Sequence, residues 1–306
     1  ESMIPGAGEA YHSFVTDWIG FARTMRDIFL STPSPFQIGK RMILGSSSSL
    51  PWQEELRHIL RPYEHVVRSY FDFEKLQTLI AWMAAQSGPP PTEPLTGPFA
   101  LWHALYHDGG VARPEGGSGM LTQALRRHIE AHGGDIYTDA SVDEIVVQND
   151  RAQGVRVNGT VYTSRSVCSA AHARTTYQSL LPPSHRPSGS EDLRIGNGFG
   201  AMLRLALDEP VEYKAHPDEE ARRGLQLLCR DLRQLKGAYG EYLADQPSSD
   251  PPLVAMTFSG VDNTLVPDGG EVLWLWGQYF PYDLANEQKW ADIAPTVADS
   301  LIDQFE

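Results

Sequence analysis

Cysteine is nearly missing from this 306-residue chain: there are only two, Cys168 and Cys229, far apart in sequence. That excludes a disulfide-built scaffold and a C-x-x-C metal or redox pair. Two unpaired thiols suit a reducing compartment, and a cytoplasmic location is expected. Basic residues are scarce as well. The 25 Lys and Arg against 39 Asp and Glu give a net charge of -14. Nucleic acid and anionic membrane surfaces both require clustered Lys and Arg, so neither is expected as a partner. No run approaches the ~18 apolar residues of a membrane-spanning helix, and no secretory leader is legible.

Several catalytic templates are also missing. The Walker pattern G-x-x-x-x-G-K-[ST] has no match, because no Lys follows the glycines of "RPEGGSGMLTQ". The dinucleotide fingerprint nearly fits at Gly117-Ser118-Gly119, but Thr122 stands where its last glycine belongs. No buried strand precedes it either. The reading favoured by spacing alone is a helix start, with Ser118 able to cap and the glycines free to bend. His103 and His107 are four apart, as are His128 and His132. A zinc protease helix would need Glu at Ala104, so no metal is expected. Asp72 and Glu74 are two apart, which on a helix points them away from each other. Asp218-Glu219-Glu220 suits a solvated helix start. No Ser-His-Asp arrangement is supported by position, and the catalytic residues stay unassigned.

What is present is organised. Residues 11–86 carry helical spacing: Phe14, Trp18, Phe21, Met25 and Ile28; then Leu56, Ile59, Leu60 and Tyr63; then Leu76, Leu79, Ile80 and Met83. The serines at 46–49 read as a flexible loop. "SGPPPTEPLTGP" (87–98) cannot be helical and reads as a loop or hinge. "FALWHALYHDGG" follows as a short helix. A helix over Leu121–His132 is expected to bury Leu121, Ala124, Leu125, His128 and Ile129, and Gly133-Gly134 end it. Short strands come next, turned at Asn149-Asp150 and, most clearly, at Asn158-Gly159. "SVCSAA" reads as another strand. Beyond the linker "LLPPSHRPSGSEDL", the strands are "GFGAMLRLALDE", "PPLVAMTFSG" and "EVLWLWGQYFPY". "HPDEEARRGLQLLCRDLRQL" reads as a helix start, and "NEQKWADIAPTVADSLIDQFE" as a helix with a kink or break at Pro295. Composition shifts near 110 and 187, giving three segments: 1–110, 111–185 and 186–306.

Several motifs in order carry a resemblance. They are Pro114–Leu125 (P-x-G-G-x-x-x-L-x-x-A-L), Val142, Arg151–Val155 (R-A-x-G-V), Val167–Ala171 (V-x-S-x-A) and Thr176–Leu181 (T-x-x-x-L-L). With "GVDNTLVPDGGEVLWLWGQYFPY", residues of about 100–285 resemble the phytoene desaturase-like branch of the FAD-dependent amine oxidase superfamily.

The resemblance implies an FAD-dependent oxidoreductase with α+β / α/β architecture. A partial FAD-binding (Rossmann-like) domain with a β-meander would occupy 111–185. A substrate domain of mixed sheet covered by helices would combine 1–110 with 186–306. The family's N-terminal G-x-G-x-x-G is not found here. "PGAGEAY" is no substitute, since Tyr11 stands where the third glycine belongs. The chain, opening Glu1-Ser2-Met3 and ending Phe305-Glu306 within a helical pattern, is therefore expected to be an internal piece that alone holds FAD weakly. By the same resemblance Gly116 and Gly117 lie near the cofactor without gripping its phosphates. The main chain at Val142 meets adenine, and Ala170, Ala171 and His172 line the cleft. Trp274, Trp276, Tyr279 and Phe280 alternate, so one pair is expected to face substrate; Trp274, Trp276 and Tyr279 are the candidates. The implied substrate is small and apolar, isoprenoid- or carotenoid-like, which leaves room for peripheral contact with a membrane to reach it. An amine oxidase and a non-catalytic module without flavin are the alternatives. Oligomeric state is not legible.

Overall fold

The structure is a computed structural model that describes residues 4–32, 34–45, 50–216 and 219–306. The serine loop expected at 46–49 and Asp218 of the acidic cluster lie outside the described residues. Chain contacts divide it into two compact units, residues 1–118 with 197–306, and residues 119–196.

The larger unit begins with helices α1 (Ala7–Phe29), α2 (Pro35–Gly45), α3 (Trp52–Leu60), α4 (Tyr63–Tyr70), α5 (Glu74–Ala85), α6 (Gly97–Leu101) and α7 (Tyr106–Gly109). The spacing of Phe14, Trp18 and Phe21 puts all three on one face of α1, and all three are buried. The stripe read through Leu56, Ile59, Leu60 and Tyr63 is broken in two. Arg61 precedes Pro62, is extended at ψ 160, and ends α3 before Tyr63 opens α4. Leu56 and Leu60 stay substantially exposed, whereas Tyr63 is buried. The proline-rich segment is pinned: the Tyr63 and Tyr279 hydroxyls both donate to the Pro89 carbonyl, each at 3.0 Å.

In this helical layer the Tyr11 hydroxyl lies 2.8 Å from His103 Nε2 and 2.6 Å from His107 Nε2. Among the described residues no group of His, Cys, Asp or Glu could hold a metal. His103 is buried with its Nδ1 unpartnered, and desolvation, then the neighbouring His107, pulls its pKa down to about 4. The unfolded chain titrates near ~6.5. Between these values the unfolded state binds more protons, so stability falls as pH drops through this window and levels off below it. About 3 kcal/mol is expected to be lost. Urea midpoints compared across that window should fall steeply for the natural chain and much less for His103→Gln; equal slopes would refute the assignment.

The remainder of the larger unit is a four-stranded sheet, β4 (Gly200–Leu207), β5 (Gln226–Leu228), β6 (Leu253–Thr257) and β7 (Glu271–Gln278), in the order β4-β7-β6-β5. It is antiparallel at every pairing rather than mixed. The region read as one helix start at 216–235 is divided. A short α9 (Glu219–Arg223) precedes β5, and α10 (Leu232–Leu243) begins only after Asp231, whose carboxylate accepts from the Arg233 and Gln234 N–H groups. Residues 226–228 become a strand because β6 offers them a ladder. The last helix, α11 (Trp290–Phe305), runs through Pro295. It covers one sheet face, Leu253, Ala255, Leu273 and Leu275, with Leu301, Val297 and Phe305. The helical layer packs against Val254, Trp274 and Trp276 of the other face. No helix of the described residues is long and apolar enough to cross a membrane.

The smaller unit holds α8 (Gly119–Ala131) and the meander β1 (Glu144–Gln148), β2 (Arg151–Val157) and β3 (Thr160–Thr163), antiparallel in that order. Asn149 and Asp150 have φ of 52° and 57°, and Asn158 and Gly159 have 48° and 79°. Both pairs are the left-handed two-residue turns that their sequences favour. Two expectations fail here. No residue of α8 is buried; Leu121, Leu125 and Ile129 are 59%, 57% and 44% exposed. Helical spacing specifies which face is apolar, not what covers it. Residues 166–171 form no strand, because among the described residues none pairs with them.

Candidate functional site

The antiparallel register assembles one sheet face from three strands. Trp276 stands opposite Met202 on β4 and Val254 on β6, while Trp274 stands opposite Arg204 and Met256. Side chains alternate along a strand, so these six share a face, the one turned away from α11. On it the two indoles stack with ring centroids 5.9 Å apart. The row continues to Phe199 beside Trp276 at 5.8 Å and to Phe258 beside Trp274 at 6.1 Å. Trp274 and Trp276 are half-buried, and Met202 and Arg204 are exposed.

Two features hold this row. The Trp276 Nε1–H donates to Gln278 Oε1 at 2.8 Å, and Gln278 in turn donates to the Ala85 carbonyl. Gly200 leaves room for the indole: a Cβ there would stand 2.2 Å from a Trp276 ring carbon. Tyr279 is not on the row. It lies past the end of β7, at φ 65°, with its ring wholly buried against Tyr239 and Tyr242. Phe280 is buried with the α11 cluster. Clefts elsewhere on the unit include a ≈ 720 Å³ hollow lined by Gly198, Ala201, Tyr282 and Trp290, and a ≈ 450 Å³ apolar one lined by Met25, Phe29, Phe99 and Trp102. Neither includes Trp274 or Trp276.

The first two amides of the glycine turn are already engaged within the chain. The Gly116 N–H donates to Asp262 Oδ2 at 2.7 Å, and the Gly117 N–H donates to the Pro114 carbonyl at 3.1 Å. The Thr264 hydroxyl, then these turn amides, hold the Asp262 carboxyl below its usual range. A carboxylate of the chain itself thus takes the place a phosphate oxygen would need. Gly116 and Gly117 have φ of 80° and 90°, so their role is to shape the turn.

In the smaller unit Val142 lies two residues before β1 and is half-buried, one position outside the last ladder bond, from the Asp143 N–H to the Arg156 carbonyl. Ala170, Ala171 and His172 are exposed and precede a helical stretch. His172 Nδ1 accepts from the Arg174 N–H, and Ser169 Oγ pairs with Thr176 Oγ1 at 2.7 Å. The segment supplies no glycine-rich loop of the kind that holds a pyrophosphate. Cys168 is exposed, and Cys229 is packed, with burial pushing its thiol up to about 12.

The sequence alone singles out the tryptophans but not Asp262, Arg113, Phe258, Met202 and Arg204, which the structure sets beside them or at the glycine turn. The Met-x-Arg alternation of β4 was a visible strand signal; its alignment with the tryptophans was not.

A model of the flavin containing amine oxidoreductase family matches residues 29–265. The chain is 28% identical over 296 residues to the pyridine nucleotide-disulfide oxidoreductase domain-containing protein 2 of Rattus norvegicus, covering 90% of this chain and 50% of the rat protein. It is 36% identical over 125 residues to a lycopene-forming phytoene desaturase of Pseudescherichia vulneris, covering 39% of this chain and 25% of the desaturase. The crystal structure of an oxidoreductase from Methanosarcina mazei superposes with a TM-score of 0.53 at 19% identity, covering 80% of this chain and 51% of that one. The latter is a likeness of fold. The chain spans about half the length of the full-length rat relative it matches.

Proposed function

The chain belongs to the flavin containing amine oxidoreductase family, and from that premise we propose that it forms part of an FAD-dependent oxidoreductase acting on an apolar, isoprenoid- or carotenoid-like substrate. FAD supplies the hydride acceptor, so the polypeptide's tasks are to bind, orient and exclude water. Val142, Ala170, Ala171 and His172 would lie along the cofactor. Trp274 and Trp276 would hold the substrate.

The observation that supports this reading best is the stacked indole pair, half-buried beside Met202, Met256 and Phe258. Such rings bind flat unsaturated chains by burial and stacking. The row carries no carboxylate or histidine, which suits a hydride transfer in which the flavin is the acceptor. The amine oxidase reading is weaker, because Arg113 sits on this row and would repel a protonated amine. A binding module without flavin is the remaining alternative.

The purified protein, with its flavin, is expected to lose the visible absorbance of oxidised flavin when mixed anaerobically with a polyene precursor. Primary amines should leave that absorbance unchanged. Bleaching by amines alone would replace the proposal with the amine oxidase reading; a full-length protein containing this chain that takes up no flavin would leave only the binding module.

A further inference from the structure

The aromatic row is capped by a charge. Arg113 Cζ lies 3.6 Å from the Phe258 ring centroid, and its Nη2 is 3.7 Å from Met256 Sδ. Phe258, Trp274, Trp276 and Phe199 then follow at intervals of 5.8–6.1 Å. Arg204 stands on the same sheet face, opposite Trp274. Among the described residues no ion pair engages either guanidinium. Other arginines do find carboxylates: Arg23 and Arg26 share Asp108, Arg156 meets Glu144, and Arg222 meets Glu271. Arg113 is partly desolvated by its aromatic neighbours, and no acid is among the causes of its lowered pKa.

A cation held on a ring, at one end of an apolar row, keeps its outward N–H groups for an anion. A guanidinium matches a carboxylate with two parallel hydrogen bonds. We propose that this face takes an extended unsaturated carboxylic acid, its chain along Phe258, Trp274 and Trp276 and its carboxylate on Arg113, with Arg204 adding to the positive field. The proposal rests on the apolar-substrate reading above and narrows it from a hydrocarbon to an amphipathic acid.

The test uses the natural chain with cis-parinaric acid, a conjugated fatty acid that accepts energy from tryptophan, and with its methyl ester. Saturable energy transfer from the tryptophans is expected for the acid, with the ester about tenfold weaker or more. Arg113→Met should weaken the acid by a similar factor and leave the ester unchanged, while Arg113→Lys should retain much of the acid's affinity. Trp274→Ala should weaken acid and ester alike. Equal affinities for acid and ester, both indifferent to Arg113→Met, would overturn the acid proposal and leave the apolar reading standing. Binding of neither would overturn both.

Discussion

Replacing Glu271 with alanine is expected to destabilise the larger unit by about 3–5 kcal/mol, the cost of breaking a buried ion pair from one side. Glu271 is wholly buried at the start of β7. Its carboxylate accepts from Arg222 Nη2 at 2.8 Å and Nε at 3.2 Å, from the Ser259 hydroxyl at 3.1 Å and from the Val211 N–H at 2.6 Å. The Ser259 oxygen in turn accepts from the Val272 N–H. One side chain therefore ties α9, the turn after β6, the segment after β4 and β7 together. Alanine would leave the Arg222 guanidinium, only 20% exposed, without its counter-charge and an amide without an acceptor. Glu271→Gln keeps the shape and one acceptor oxygen but sets an NH2 donor against the Arg222, Ser259 or Val211 donors, so it should recover only a small part of the loss. A double replacement, Glu271→Leu with Arg222→Leu, should recover part of the loss because no lone charge remains. Urea midpoints measured by tryptophan emission would check this. A loss under about 1 kcal/mol for Glu271→Ala would mean that water reaches the site and the pair is not buried as described.

Gly154→Ala is expected to be about as damaging to the smaller unit, at about 3 kcal/mol. Gly154 lies in the central strand β2, paired with Val146 on one side and Thr163 on the other. Its φ is 152°, and a Cβ there would stand 2.0 Å from the Tyr162 carbonyl oxygen. That atom belongs to backbone, so a rotamer change cannot relieve the clash and the ladder itself must shift. Gly159→Ala is the control. It has a positive φ of 79° but open space around its Cβ position, so only the left-handed penalty of about 1 kcal/mol applies. All seven tryptophans lie in the larger unit. Amide exchange in residues 144–163 should therefore accelerate in Gly154→Ala while tryptophan emission stays the same. Unchanged exchange would show that β2 can bulge around the methyl at little cost.

Much of the secondary structure was legible. Asn149-Asp150 and Asn158-Gly159 announce their turns because left-handed backbone is cheap for those residues and costly for most others. The Phe14–Trp18–Phe21 stripe announces α1, and the alternation of β7 announces a strand. The candidate site was legible only in part. Trp274 and Trp276 could be singled out as aromatic residues of one strand, but the end of β7 before Tyr279 could not, and Tyr279 turned into the core. The glycine turn invited a phosphate, and Asp262, distant in sequence, took its donors.

The amino-acid order by itself determined what neighbouring residues settle among themselves: turns, helical stripes, strand alternation and the absence of a phosphate-gripping lysine. These depend on backbone preferences acting over a few residues. Only the tertiary structure decided that 226–228 would be a strand, that Met202 and Arg204 would face the tryptophans, and that Arg113 would end the row on Phe258. Each of those contacts joins chain segments whose proximity is set by burial across the whole unit, so no local window of residues contains the information.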